Sequence, residues 1–246
     1  MDSATINYVI YRRHRLMNPM STDQLARVLA FTDLAAGDKA ADLGCGAGFL
    51  TQWIASRHQL QITGVERFAP MVERARAAAS TGGFRLFEGA AADYLTEAGE
   101  HRLLSMLGAI DVAPGLVRPV DIMRALVPSI APGGWLLWGD PFWRRPPSPR
   151  LAMILGGLDR YETLPGWMQA GEQAGLTPHY VSVSSDQDWE EYIWRMNASM
   201  SEWADEHAGT PDGDEMRERA RILRTLYLEE GRDGAGFGLY LFRRPD

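Results

Sequence analysis

The chain has 246 residues, 46% of them hydrophobic, enough to fill the core of one large domain and too many for a disordered, collagenous or coiled-coil protein. Its 25 Lys and Arg stand against 32 Asp and Glu, a formal charge of −7, and no dense basic run offers a face for phosphate backbones, so nucleic acid is not an expected partner. The single cysteine, Cys45, permits neither an internal disulfide nor a cysteine-based metal centre, and no metal site is expected.

In chain order, Leu25, Val28 and Leu29 behind Ser21 and Thr22 predict a capped amphipathic helix, and residues 1–33 are expected to form an N-terminal helical cap. The apolar stretch 8–11 is too short for a signal region or a membrane span and runs into Arg12, Arg13 and Arg15, so a cytoplasmic protein with no membrane partner is expected. Over 38–145 short apolar runs alternate with helical ones, which predicts a parallel sheet with strands at 39–43, 61–66, 84–88, 103–107 and 135–140. Pro141, Pro146, Pro147 and Pro149 predict an irregular loop leaving the sheet edge. Residues 146–246 then carry a short helix at 163–174, strands at 179–184 and 237–242, and a helical insertion over about 186–230. The expected architecture is α/β and a single domain.

The most informative stretch is Asp42-Leu43-Gly44-Cys45-Gly46-Ala47-Gly48-Phe49, at a strand-to-helix junction where glycines let the backbone turn tightly and approach a ligand. A dinucleotide fingerprint needs glycine where Phe49 or Thr51 stands, and no Gly-Lys-Ser or Gly-Lys-Thr of a phosphate-binding loop follows. The pattern Asp-x-Gly-x-Gly-x-Gly resembles motif I of the class I S-adenosylmethionine-dependent methyltransferases. Ala131-Pro132-Gly133-Gly134 is similar to the turn by which that family enters its fifth strand, while His14 to Pro19 and Gly139 to Trp143 look like signatures of a bacterial group acting on small acceptors.

The resemblance implies a Rossmann-like fold with a mostly parallel seven-stranded sheet whose last strand is antiparallel, and S-adenosyl-L-methionine as cofactor. It implies a site built from Asp42, Gly44, Cys45 and Gly46, with Glu66 accepting from the ribose hydroxyls and Arg67 beside it. Adenine would meet either Asp93 or backbone groups at Ala91 and Ala92, and Leu107 would end the strand that floors the methyl group. Asp140-Pro141-Phe142-Trp143 imitates the motif of nucleic-acid amino-methyltransferases, but follows the fifth strand and not the fourth.

Methyl transfer from a sulfonium needs positioning and water exclusion more than dedicated catalysts. His14 is the expected base, and Asp140, at a strand's carboxyl end, a second catalytic candidate. Tyr11, Asn18, Trp143, Trp189, Tyr192 and Met196 are the expected acceptor-binding residues, the last three on the inserted helix acting as a lid. An aromatic pocket with one carboxylate slightly favours an amine over an oxygen or carbon acceptor. The expected function is methyl transfer to a small molecule by a monomer or homodimer. The alternatives are non-methyl chemistry with the same cofactor and a non-catalytic cofactor-binding protein.

Overall fold

The computed structural model describes residues 1–109, 115–155 and 161–246. In chain order these form α1 (Ser3–Tyr11), α2 (Thr22–Leu29), β1 (Lys39–Leu43), α3 (Phe49–His58), β2 (Gln61–Glu66), α4 (Ala69–Ser80), β3 (Arg85–Glu88), α5 (Ala91–Ala98) and β4 (His101–Leu107). Then follow α6 (Pro119–Leu126), β5 (Ile130–Trp143), α7 (Pro149–Leu155), α8 (Leu164–Gln173), β6 (Thr177–Val183), α9 (Asp186–Glu206), α10 (Pro211–Leu226) and β7 (Ala235–Arg243).

The described strands make one seven-stranded sheet in the order β3-β2-β1-β4-β5-β7-β6. The pairs from β3 to β5 are parallel, whereas β7 lies antiparallel to both β5 and β6. Parallel strands covered by helices on both faces need apolar side chains on both, and Ala40, Ala41, Leu43, Leu103, Leu104 and Met106 are all buried. One layer packs Met123, Leu126, Trp138, Trp167 and Tyr240 together, the other Leu25, Ile54, Leu103, Trp135 and Phe237. The strand order reverses beside β1, which opens a crevice at the carboxyl ends of β1 and β4, the usual place for a ligand in such sheets.

The prolines do not break the chain where expected. β5 continues through Pro141 to Trp143, paired throughout with β7. Its pairing with β4 stops at Leu107 and Gly139, so beyond that point one flank is open and a missing N–H is lost to no ladder. On that same flank Trp143 N donates to Glu162 O at 2.9 Å. Pro149 starts α7, where the first helical position tolerates it. The first helix, α1, packs on α9 and α10 through Val9, Met200, Ala204, Met216 and Ala220. This three-helix cap is the inserted segment joined by the N-terminus.

His101 begins β4 fully buried, and its ring is satisfied on both sides: Nδ1 donates to Ser129 O at 3.1 Å and Nε2 accepts from Tyr94 Oη at 3.0 Å. Burial lowers its pKa and those of His14 and His58 below the ordinary 6.5. The unfolded chain therefore takes up protons near pH 6.5 that the folded chain refuses, so stability is lost as pH falls through that value. Unfolding free energies from urea titrations followed by tryptophan fluorescence should be lower at pH 5.5 than at pH 7.5, by up to about 1.4 kcal/mol per pH unit for each of the buried His14 and His101. A flat profile would show that these rings charge normally in the fold.

Candidate functional site

From Leu43 the chain turns through Gly44, Gly46 and Gly48 at φ of +75°, +57° and +80°, a left-handed path that side chains resist. An added Cβ at Gly44 would lie 2.6 Å from the Ala109 Cβ, and one at Gly48 2.7 Å from the Phe84 ring. Beneath the loop, Asp42 is 2% exposed. Its Oδ2 accepts from Thr51 Oγ1 at 2.6 Å and its Oδ1 from Ser105 Oγ at 2.7 Å. Burial raises its pKa against these two bonds. The Asp42 carboxylate thus ties β1 to β4 and α3, and it also borders the small pocket beside the loop. Cys45 is buried beside it, its thiol pKa pushed up by burial and then by the Asp42 charge, so it is no nucleophile.

Above the loop lies a cleft of about 360 Å³. Gly44, Gly46, Glu66, Arg67, Ala91 and Leu107 border it, as do Tyr11 and Asn18. Glu66 is clamped: Oε2 accepts from Gly46 N at 2.8 Å, while Oε1 accepts from Arg67 N at 2.9 Å and Phe68 N at 2.8 Å. Oε1 is filled by its two amide donors, whereas Oε2 keeps a further lone pair for a ligand hydroxyl. α5 begins at Ala91 with no side-chain cap, so its first amides are open to a ligand. Ala91 and Tyr94 share the buried face of that helix, which puts Asp93 on the other side, exposed and off the cleft; Ala92 does not border it either. Met17, Phe68, Met71, Gly108 and Ala109 complete the walls. Met17 lay inside the quoted His14 to Pro19 stretch, but no spacing singled out Phe68 or Met71, which look like ordinary helix-start residues.

The segment between α1 and α2 is the roof. Asn18 Nδ2 donates to Leu107 O at 3.1 Å, and Arg74 from α4 donates to His14 O at 3.1 Å and Tyr11 O at 3.4 Å. Arg74 was missed because nothing in sequence separates it from Arg76, which pairs outside with Glu88. A second cleft of about 310 Å³ lies on the other side of Asn18, bordered by His14, Arg15, Phe49, Tyr192 and Arg195. A small passage of about 50 Å³, lined by Arg15, Asn18, Asp42, Cys45 and Leu107 among others, shares lining residues with both clefts. His14 is 2% exposed and its Nε2 donates to Tyr192 O at 3.0 Å. A carbonyl can only accept, so Nδ1 carries the lone pair, and it has no partner among the described residues. Burial lowers the His14 pKa and keeps the ring neutral at pH 7. Tyr11 and Tyr192 flank it edge-on, their hydroxyls 3.1 Å apart.

Four expected residues lie elsewhere. Asp140 is 1% exposed and borders neither cleft, because strand alternation puts it on the Trp138 and Phe142 face, near Tyr240, whose pKa it helps raise. Trp143 packs with Leu151, Leu226, Ala235 and Tyr161. Met196 sits in the cap core with Val9 and Met200, one helical turn past the cleft. Trp189 covers the Trp135 and Phe237 layer and meets Tyr192 edge-on at 6.2 Å.

A family model described as a methyltransferase domain matches residues 40–134, the stretch that holds the loop, Glu66 and Leu107. That segment is similar to methyltransferase domains. S-adenosylmethionine-dependent methyl transfer is the activity of such domains, and S-adenosylmethionine is their cofactor. YjhP of Escherichia coli K12, itself uncharacterised, is 24% identical over 250 residues, covering 98% of both chains. Trans-aconitate 2-methyltransferase of Streptomyces coelicolor is 34% identical over 162 residues; the match covers 64% of this chain and 52% of that one, so the methyltransferase is spanned for about half its length. A methyltransferase of Thiobacillus denitrificans, solved with S-adenosyl-L-homocysteine, shares the fold with a TM-score of 0.83 at 24% identity, covering 98% of this chain and 99% of that one. No described helix is long and apolar enough to cross a membrane.

Thr51→Val removes a donor from the buried Asp42 carboxylate at nearly constant volume. The loss should be about 1–3 kcal/mol in urea denaturation, and a smaller change would mean that Ser105 alone holds the loop.

Proposed function

We propose that the first cleft holds S-adenosylmethionine, that a small-molecule acceptor enters from the second, and that His14 takes the acceptor's proton. The observation that carries this reading is that Asn18 borders both clefts, one walled by the glycine loop and Glu66 and the other bordered by a buried, neutral histidine. The first cleft fits an adenosyl group: Glu66 Oε2 offers its spare lone pair to a ribose hydroxyl, and Phe68, Met71 and Ala91 supply apolar walls for a purine. Gly44, Gly46 and the open amides of α5 let backbone approach where a Cβ would block it. Bound there, S-adenosylmethionine supplies a methyl group already activated by a positive sulfur.

The chain's own residues then have three tasks. Leu107, Gly108 and Asn18 border the junction between the clefts and hold the reacting ends in line while excluding water. His14 Nδ1 accepts a proton from the acceptor atom; Tyr192 O, by fixing Nε2–H, keeps the basic lone pair on Nδ1. Arg74 holds the roof over both. The preference for an amine loses its support, since Asp140 and Trp143 border neither cleft.

Glu66→Ala should weaken S-adenosylhomocysteine binding by about 1–3 kcal/mol in calorimetry, and unchanged affinity would remove Glu66 from the site. His14→Gln should lower turnover by about 10²-fold or more, measured as labelled methyl transferred to a panel of small acceptors, while S-adenosylhomocysteine affinity stays within about twofold. In the wild type, kcat should fall on acidification with an apparent pKa under the ordinary 6.5, as the lowered His14 value requires. Equal loss of affinity and turnover in the variant would make His14 a structural residue.

A further inference from the structure

The second cleft is bordered by a guanidinium that no described carboxylate pairs with. Four charged side chains border it, two of each sign, and three of them hold side-chain hydrogen bonds or ion pairs. Asp188 closes the capping box of α9, its Oδ2 accepting from Ser185 N at 2.9 Å and Ser185 Oγ at 2.7 Å. Glu191 and Arg195 pair with each other, with Arg195 Nε donating to Glu191 Oε1 at 2.9 Å. Arg15 remains. Its guanidinium lies 4.3 Å from the centre of the Phe49 ring and makes no ion pair or hydrogen bond with any described residue. The ring holds the guanidinium plane by cation-π stacking and leaves its N–H edge open.

Two further features point the same way. Ser21 and Thr22, at the start of α2, border the cleft; the Ser21 side chain takes the Gln24 amide at 3.2 Å, which leaves the Thr22 and Asp23 amides without an intrahelical partner. The positive end of that helix therefore adds to Arg15. His14 borders the same cleft, nine-tenths and more buried, with Nδ1 unpartnered, a polar atom that a ligand would satisfy.

We propose that the second cleft is the acceptor site and that it takes a small molecule bearing a carboxylate, anchored by Arg15 at the start of α2, with the rest of the molecule directed past His14 toward Asn18. The proposal rests on the cofactor lying in the first cleft. A guanidinium whose edge is free and whose plane is held by a ring matches a carboxylate through two parallel bonds, and the α2 amides serve the same anion. An amine would meet Arg15 with like charge and find both nearby carboxylates already engaged. Arg15 also lines the passage, so the one competing source of a carboxylate is the aminoacyl end of the cofactor itself.

The test is calorimetry in two arms. S-adenosylhomocysteine is first titrated into the wild type and into Arg15→Gln; then the protein saturated with it is titrated with trans-aconitate, and with the neutral trimethyl ester as control. The wild type should bind the tricarboxylate and not the ester, and Arg15→Gln should weaken the tricarboxylate about tenfold or more while S-adenosylhomocysteine affinity moves less than about twofold. Arg15→Lys, which keeps the charge but not the fork, should recover part of the loss. The proposal is overturned if the saturated wild type binds neither trans-aconitate nor succinate nor benzoate. It is also overturned if Arg15→Gln weakens S-adenosylhomocysteine instead, which would assign the arginine to the cofactor's own carboxylate. Failure of S-adenosylhomocysteine to bind the wild type would show up in the first arm and would overturn the cofactor reading itself.

Discussion

Everything the clefts offer depends on one buried carboxylate. Asp42 is removed from water and compensated by two hydroxyl donors from different elements, Thr51 on α3 and Ser105 on β4. An ionised carboxylate in such a place is costly unless paired, so the three elements are held in one relative position by the penalty for separating them. The glycine loop spans the gap between them. Its left-handed turns are tolerable because no side chain has to share the space taken by Ala109 and Phe84, and the loop in turn supplies the Gly46 amide that clamps Glu66. The Glu66 carboxylate is thus oriented, through the loop, by the buried Asp42 carboxylate.

The roof follows a different logic. It has little regular structure of its own, and its place is set by side chains that reach main-chain atoms: Asn18 on Leu107 O, Arg74 on the His14 and Tyr11 carbonyls, His14 on Tyr192 O. Each bond joins the segment to a different layer, namely the sheet, the helix after β2, and the cap. The ion pairs from Arg12 and Arg13 to Glu202 and Glu206 reinforce the last of these, though exposed pairs of this kind add little stability. Segment 11–18 is therefore well placed but weakly held, as suits a stretch between two binding clefts.

Much of the sheet was legible because parallel strands buried on both faces read as short continuous apolar runs, and the loop was legible because the glycine spacing excludes the other nucleotide folds. What stayed hidden has a physical reason in each case. The ties from Asp42 to α3 and β4 were not legible, since its donors Thr51 and Ser105 are close in space and not in sequence. Pro141 looked like a chain break, because sequence does not say that one flank of β5 is open there. Asp140 and Trp143 looked like pocket residues, and strand alternation carried Asp140 to the opposite face while α7 covered Trp143. His14 stood out because the sequence has few histidines, but its fixed tautomer depends on a carbonyl far along the chain.

The contact between α1 and α9 has a consequence for how the chain is made. Ribosomes deliver α1 before the sheet, yet the surface it needs, Met200, Ala204 and Met216, emerges only after β1 to β6 have been made. The sheet from β1 to β4 can assemble from nearby segments in the meantime, while the N-terminal segment waits, because contacts across so long a stretch of chain form only after the loop between them is closed. The nascent protein consequently acquires its glycine-loop crevice before its roof, and the apolar face of α1 stays exposed until the end. Appending a bulky domain ahead of α1 would act on that last docking step and leave the sheet untouched.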